Sequence, residues 1–117
     1  MDVEQIRDYC LARKGVTEGF PFGEETLVFK VGGRIFLLLS LDASPPQFNV
    51  KCDPLKAVEL REKYHFVMPG YHMNKTHWNT VVCEPGATGS LLRQCIDDSY
   101  ALVAGALPAS TRKKLGI

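Results

Sequence analysis

The chain has 117 residues, 45% of them hydrophobic and 23% charged, with a formal net charge of +1. That length supports one domain with a sizeable core and excludes two. No apolar run approaches a membrane span, and Met1-Asp2-Val3-Glu4 lacks the basic and apolar regions of a secretory signal, so the expectation is a cytoplasmic protein with no membrane partner. The near-neutral balance leaves any nucleic-acid surface to local clustering of Lys and Arg.

Asp2 and Gln5 form a capping-box pattern, and Val3, Ile6 and Cys10 follow at helical spacing, predicting a first helix from about Val3 to Arg13. Gly19-Phe20-Pro21-Phe22-Gly23 is an aromatic loop whose two phenylalanines are expected to pack beneath something. Thr26 to Val31 and Arg34 to Leu41 flank Gly32-Gly33, a hairpin turn that needs positive φ. Pairing Val31 with Arg34 sets Phe29 opposite Phe36 and Leu27 opposite Leu38. Both faces of the second strand are apolar, which predicts a central strand covered on both sides, or half-covered by a second copy in a homodimer.

Gln47 to Cys52 alternates as a strand with one polar side. Asp53-Pro54 starts a second helix, an N-cap followed by proline, with Ala57, Leu60 and Tyr64 buried and Glu59, Arg61, Glu62 and Lys63 toward water. His65 to Pro69 is a short edge strand, and Trp78, Thr80 and Val82 alternate against Asn79, Val81 and Cys83. Thr88 or Ser90 caps a last helix bearing Leu91, Leu92, Cys95, Ile96, Tyr100, Val103 and Leu107, which Pro108 ends. The basic segment 110–117, with Arg112-Lys113-Lys114, is expected to be a mobile tail. The sum is a single α+β domain: two layers, a largely antiparallel sheet, N- and C-terminal helices and one helix between strands.

Chemistry concentrates in Tyr71-His72-Met73-Asn74-Lys75-Thr76-His77-Trp78-Asn79, which holds two of the three histidines and the only tryptophan. His72 and His77, five apart with no carboxylate between them, do not make a metal site. Cys10, Cys52, Cys83 and Cys95 are too scattered for a zinc module and are expected as small buried hydrophobes. No nucleophile elbow, phosphate loop or dinucleotide fingerprint is present, so no cofactor and no catalysis are expected. Lys75, His72, His77, Asn74 and Asn79 are suited to phosphates or base edges, and Trp78 or Tyr71 to stacking. Lys51 with Gln47 and Asn49 adds a second polar strip. Against this stands a structural role, with Trp78 in the core and the histidines fixing a loop.

Several stretches resemble the MmcQ/YjbR family: Phe22-Gly23-Glu24-Glu25-Thr26 leading into the Gly-Gly hairpin, Lys51-Cys52-Asp53-Pro54, Pro69-Gly70-Tyr71-His72-Met73-Asn74-Lys75, His77-Trp78-Asn79, and Asp98-Ser99-Tyr100-Ala101-Leu102-Val103. They follow in order along nearly the whole chain. The resemblance implies a bacterial protein of CyaY-like α+β fold that binds DNA in a so-called double-wing arrangement. The family pattern falls on Lys51, Asp53, Pro54, His72, Met73, Asn74, Lys75, His77, Trp78, Asn79, Ser99 and Tyr100. Asp53-Pro54 is explained by helix initiation and Tyr100 by its core stripe.

The expected function is therefore non-catalytic DNA binding, with Lys51, His72, Asn74, Lys75, His77, Trp78 and Asn79 as the contact residues. The alternative is a small-molecule or partner-protein site in which Trp78, Tyr71, Phe20 and Phe22 line a pocket and His72 and Asn74 orient the ligand. An enzyme using His72 or His77 as general base ranks third.

Overall fold

In the computed structural model, which describes all 117 residues, six strands form one antiparallel sheet and four helices accompany it. In chain order these are α1 (Val3–Leu11), β1 (Val16–Gly19), β2 (Thr26–Val31), β3 (Arg34–Ser40), β4 (Gln47–Lys51), α2 (Pro54–Lys63), β5 (Val67–Pro69), β6 (Trp78–Val82), α3 (Gly89–Gly105) and α4 (Ala109–Leu115). The sheet order is β1-β2-β3-β4-β6-β5, so β3 and β4 are central, as the two-sided apolar pattern of β3 requires. No helix is long and apolar enough to cross a membrane.

Local chemistry explains most element boundaries. The Asp2 carboxylate accepts from the Gln5 amide at 2.8 Å and the Gln5 side chain returns to the Asp2 amide at 2.9 Å, closing the capping box of α1. That helix ends at Leu11, two residues earlier than its apolar spacing suggests, because Gly15 at φ +74 turns the chain into β1. Asp53 caps α2 through the Lys56 amide, with Pro54 in the first turn. Thr88 rather than Ser90 caps α3.

One face of the sheet is covered by helices: α3 crosses β2, β3 and β4, α1 flanks β1, and α2 flanks β5. Leu27, Phe29, Leu37, Leu39, Phe48, Val50 and Val81 point to this side and meet Ile6, Cys10, Leu92, Ile96 and Val103 in one apolar core. The hairpin register departs from simple pairing. Val31 is opposite Arg34 as expected, but a bulge between Phe29 and Lys30 sets Phe29 opposite Leu37 and Leu27 opposite Leu39. The extra residue, Phe36, is fully buried, and its ring meets Tyr100 edge-on at 5.5 Å between centroids. A bulge of this kind allows two consecutive residues, Phe36 and Leu37, to be buried together.

Beside the bulge, β3 and β4 part. The Ser99 hydroxyl fills the gap, donating to the Phe36 carbonyl at 2.5 Å and accepting the Lys51 amide at 2.8 Å. A buried serine on α3 thus completes a hydrogen-bond ladder that the backbone alone leaves open.

The opposite face has no helix. Its residues Val28, Leu38, Asn49 and Thr80 lie in one row across β2, β3, β4 and β6. Two loops screen it instead: Phe20 and Pro21 flank Val28, while Phe22 and Tyr71 flank Leu38. The two phenylalanines do cover the sheet, yet they are not themselves packed under anything, with Phe20 51% and Phe22 64% exposed. The basic C-terminal segment is likewise not a free tail. It forms α4, closed by left-handed Gly116, and its Leu115 lies against Gly15.

Candidate functional site

The loop joining β5 to β6 is a built structure of internal hydrogen bonds. Gly70 donates to the Trp78 carbonyl at 2.9 Å, and Trp78 donates to the Asn74 carbonyl at 2.9 Å. The Asn74 side-chain oxygen accepts the amides of Thr76 at 2.9 Å and His77 at 3.3 Å, a turn that asparagine stabilises well. The Lys75 ammonium reaches the Gly70 carbonyl at 2.9 Å. A Cβ on Gly70 would stand 2.8 Å from the Trp78 Cβ, so only glycine allows this crossing.

Arg61 fastens this loop to the body. Its Nε donates to the Asn79 side-chain oxygen at 2.7 Å, and its terminal nitrogen to the Lys75 carbonyl and, at 3.4 Å, to the Trp78 carbonyl. Asn79, 1% exposed, also gives its amide to the Ala57 carbonyl at 3.4 Å. Arg61, expected to face water, therefore faces inward. The signal was present: it lies four residues after buried Ala57, on the same side of α2.

The sequence candidates divide accordingly. Asn79 and Asn74 hold the framework, and buried Asn79 has no surface to offer a ligand. Trp78 is half-buried at the start of β6, opposite Lys51, which is also half-buried. His72, Lys75 and His77 are exposed. His72 has φ +57, a left-handed conformation that non-glycine residues adopt at a cost. Its ring stands 4.0 Å from that of Tyr71, itself 65% exposed.

Tyr71, His72 and Met73 form one wall of a cavity of about 450 Å³ on the helix-free face. Phe22 and Glu25 from the β1–β2 loop, with Asp42 after β3, form the other wall. The floor is Thr26, Leu38, Ser40 and Asn49. Asn49 ties floor to wall: it accepts the Thr80 hydroxyl and donates to the Tyr71 carbonyl at 3.4 Å, while Thr80 accepts the Tyr71 amide at 2.9 Å. Of the residues expected to contact DNA, only His72 lines this cavity, and of those expected to form a pocket, Tyr71, Phe22 and His72 do while Trp78, Phe20 and Asn74 do not. Lys51, Lys75, His77 and Trp78 lie elsewhere around the loop. Glu25, Asp42 and Asn49 were missed as cavity residues because sheet register and distant loops bring them together; Glu25 carried a signal as part of Phe22-Gly23-Glu24-Glu25-Thr26, and Asn49 as part of the polar strip of Gln47, Asn49 and Lys51, while Asp42 carried none.

Charge is segregated along the strands. The end where β2 turns into β3, β4 finishes and β6 begins carries Lys14, Arg34, Lys51, Lys75 and His77, joined by Arg112, Lys113 and Lys114 of α4. Acids at this end are Asp53, which caps α2, and Asp97 and Asp98, already paired with Arg13 and with Lys56 at 2.7 Å. The opposite end carries Glu24, Glu25 and Asp42 in its turns, with Glu84 hydrogen-bonded to His65 at 2.8 Å. A formal charge of +1 conceals these two poles.

No group of three or more His, Cys, Asp or Glu side chains is placed to hold a metal ion. Burial pushes the thiols up, Cys10 to about 12 and Cys83 and Cys95 each to about 11, so they remain protonated and weakly nucleophilic at neutral pH.

Known proteins are similar to this chain in sequence, and solved structures are similar to it in fold. The Escherichia coli O157:H7 protein YbdF, named as uncharacterized, is 42% identical over 96 residues, covering 82% of this chain and 79% of that protein. Escherichia coli K12 YjbR, also named as uncharacterized, is 28% identical over 115 residues, covering 98% of each. The crystal structure of Deinococcus radiodurans DR2400, a DUF419 domain, matches with a TM-score of 0.93 at 36% identity, over 98% of this chain and 88% of that one. A Pseudomonas syringae crystal structure shares the fold at a TM-score of 0.76 and 24% identity, over 88% of this chain and 99% of that one. The YjbR family model matches residues 11–102, from the end of α1 well into α3, and the chain belongs to the YjbR family.

Proposed function

We propose that this protein is a non-catalytic nucleic-acid-binding domain that holds DNA phosphates at its basic end. The observation that carries this reading is the charge segregation: Lys51, Lys75 and His77 stand at the same end of the sheet as Arg34, Lys14 and α4. Phosphate affinity depends on locally clustered cations and counterion release, not on net charge. The surface therefore comprises the 71–79 loop and the end of the 47–52 strand, extended by the hairpin tip and α4. Tyr71 presents an exposed ring for stacking beside it. The raised thiol pKa values argue against a cysteine nucleophile at either residue.

The test is fluorescence anisotropy of labelled single- and double-stranded DNA across a salt series. Wild type is compared with Lys51→Ala/Lys75→Ala and with Arg34→Ala/Lys113→Ala/Lys114→Ala, each checked by circular dichroism. Log affinity should fall linearly with log salt, and each lost duplex phosphate contact should flatten the slope by about 0.9. Absence of binding at low salt, or unchanged slopes in both variants, would overturn the reading.

A second reading is favoured by the cavity, whose volume and mixed lining suit a small molecule. It lies beside His72 and Tyr71 but is displaced from Trp78, and Phe22 rather than Phe20 joins its wall.

A further inference from the structure

We infer that the cavity on the helix-free face takes a small organic cation, a primary amine or guanidine with an apolar or aromatic body. This rests on the second reading above, that the cavity is a ligand site, and adds the chemical class.

The inference starts from charge. Glu25 and Asp42 both line the cavity, and neither makes a salt bridge within the protein. His72 is the sole basic side chain in the lining, one imidazole against two carboxylates. A bound phosphate or carboxylate would meet two uncompensated negative charges, whereas an ammonium or guanidinium would neutralise them. None of the Lys or Arg side chains lines the cavity or pairs with Glu25 or Asp42.

The remaining lining defines the body of the ligand. Phe22 and Tyr71 stand on opposite walls, 64% and 65% exposed, an unusual state for large aromatic rings. Their faces suit either an aliphatic chain or a flat ring, and attract a cation passing between them. Leu38 supplies an apolar floor, and Asn49, already donating to the Tyr71 carbonyl and accepting from Thr80, keeps one N–H and one oxygen lone pair for a hydroxyl or second amine. The volume, about 450 Å³, suits a molecule of several to a dozen or so heavy atoms and far exceeds a bare ion. A hard divalent cation would also require more ligands than two carboxylates provide.

The cavity is assembled by two independent loops, which gives the ligand a means of acting. The Tyr71 wall belongs to the loop that Arg61 holds and that continues into Lys75 and His77. A cation bridging it to Glu25 and Asp42 would tether the loop that leads into the basic end to the turns before β2 and after β3.

Isothermal titration calorimetry would use tyramine, agmatine and putrescine as probes, with 4-hydroxyphenylacetate as the charge-reversed counterpart of tyramine. At least one amine should bind one-to-one and more tightly than the acid by at least about tenfold, as expected for one charge reversed beside two carboxylates. The Glu25→Gln/Asp42→Asn variant changes two exposed residues without partners, so its melting temperature should hold while the preference for the amine disappears. Amide shift mapping should place the perturbation at Phe22, Asn49 and Tyr71. Should 4-hydroxyphenylacetate bind there as well as tyramine, or the variant keep its amine affinity, the cation class is wrong and the ligand cavity stands. Should no probe perturb these residues at millimolar concentration, both fall.

Discussion

Arg61→Ala tests whether the polar loop is held from outside or stands by itself. The substitution removes the 2.7 Å bond to the Asn79 side chain and the donations to the Lys75 and Trp78 carbonyls. Hydrogen bonds to a charged group contribute about 1.5–3 kcal/mol, and a buried polar atom left unpaired costs about 1–3 kcal/mol. The Asn79 oxygen would be so stranded, since that residue is 1% exposed. Arg61 is itself only half-buried, which discounts its share, and the total is about 2–3 kcal/mol. With roughly 4 °C per kcal/mol for a chain of this size, the melting temperature should drop by roughly 8–12 °C.

Urea unfolding measures the loss, and a double-mutant cycle with Asn79→Ala separates its parts. If the orphaned oxygen dominates, Arg61→Ala/Asn79→Ala should cost clearly less than the two single losses added together. Hydrogen exchange should show the Trp78 and Gly70 amides losing protection ahead of the core strands. A loss below about 0.5 kcal/mol, the range of ordinary surface changes, or strict additivity in the cycle, would refute the clamp.

Ser99→Ala should cost about 1–3 kcal/mol in urea unfolding, because the Phe36 carbonyl and Lys51 amide lose their shared partner inside the core. Gly32→Ala forces an ordinary residue to φ +57 and sets its Cβ 2.7 Å from the Leu107 side chain; the backbone alone costs about 1–2 kcal/mol, read as a lowered melting temperature. Phe22→Ala and Tyr71→Ala should leave stability within about 0.5 kcal/mol, since both rings are mostly exposed. Alkaline pH should destabilise the fold: Cys10, held at about 12 against an ordinary 9.0, keeps its proton when the unfolded thiol has lost it. Unfolding then releases a proton, so stability drops from about pH 9 upward by about 1.4 kcal/mol per unit per such thiol. Urea midpoints above pH 9 should show a shallower fall in Cys10→Ala than in wild type.

The fold was legible in the sequence where local chemistry suffices. Capping residues, the Gly-Gly turn and two-residue alternation marked α1, α2, α3 and most strands, since each signal acts within a few residues. β1 was missed: Val16-Thr17-Glu18-Gly19 is short and polar, and is a strand because Val16 to Gly19 find partners in Val31 to Val28. The bulge was invisible for a related reason, because simple alternation fits Phe29 opposite Phe36 as well as Leu37, and only packing against α3 decides between them. The C-terminal segment looked mobile from its charges, whereas Leu115 has an apolar partner at Gly15, a hundred residues away in the chain.

By itself, the sequence determined the family, the α+β class, a core strand apolar on both sides, and a loop at 71–79 too rich in polar and aromatic groups for a plain turn. These follow from the types and order of neighbouring residues. Tertiary structure alone decided which of that loop's groups are available: Asn74 and Asn79 are occupied, His72 faces a cavity, and Arg61 comes from another element to hold them. It also separated a balanced composition into a basic end and an acidic one. Both outcomes depend on strand order and register, which set distant side chains a few ångströms apart, a relation that spacing along the chain does not encode.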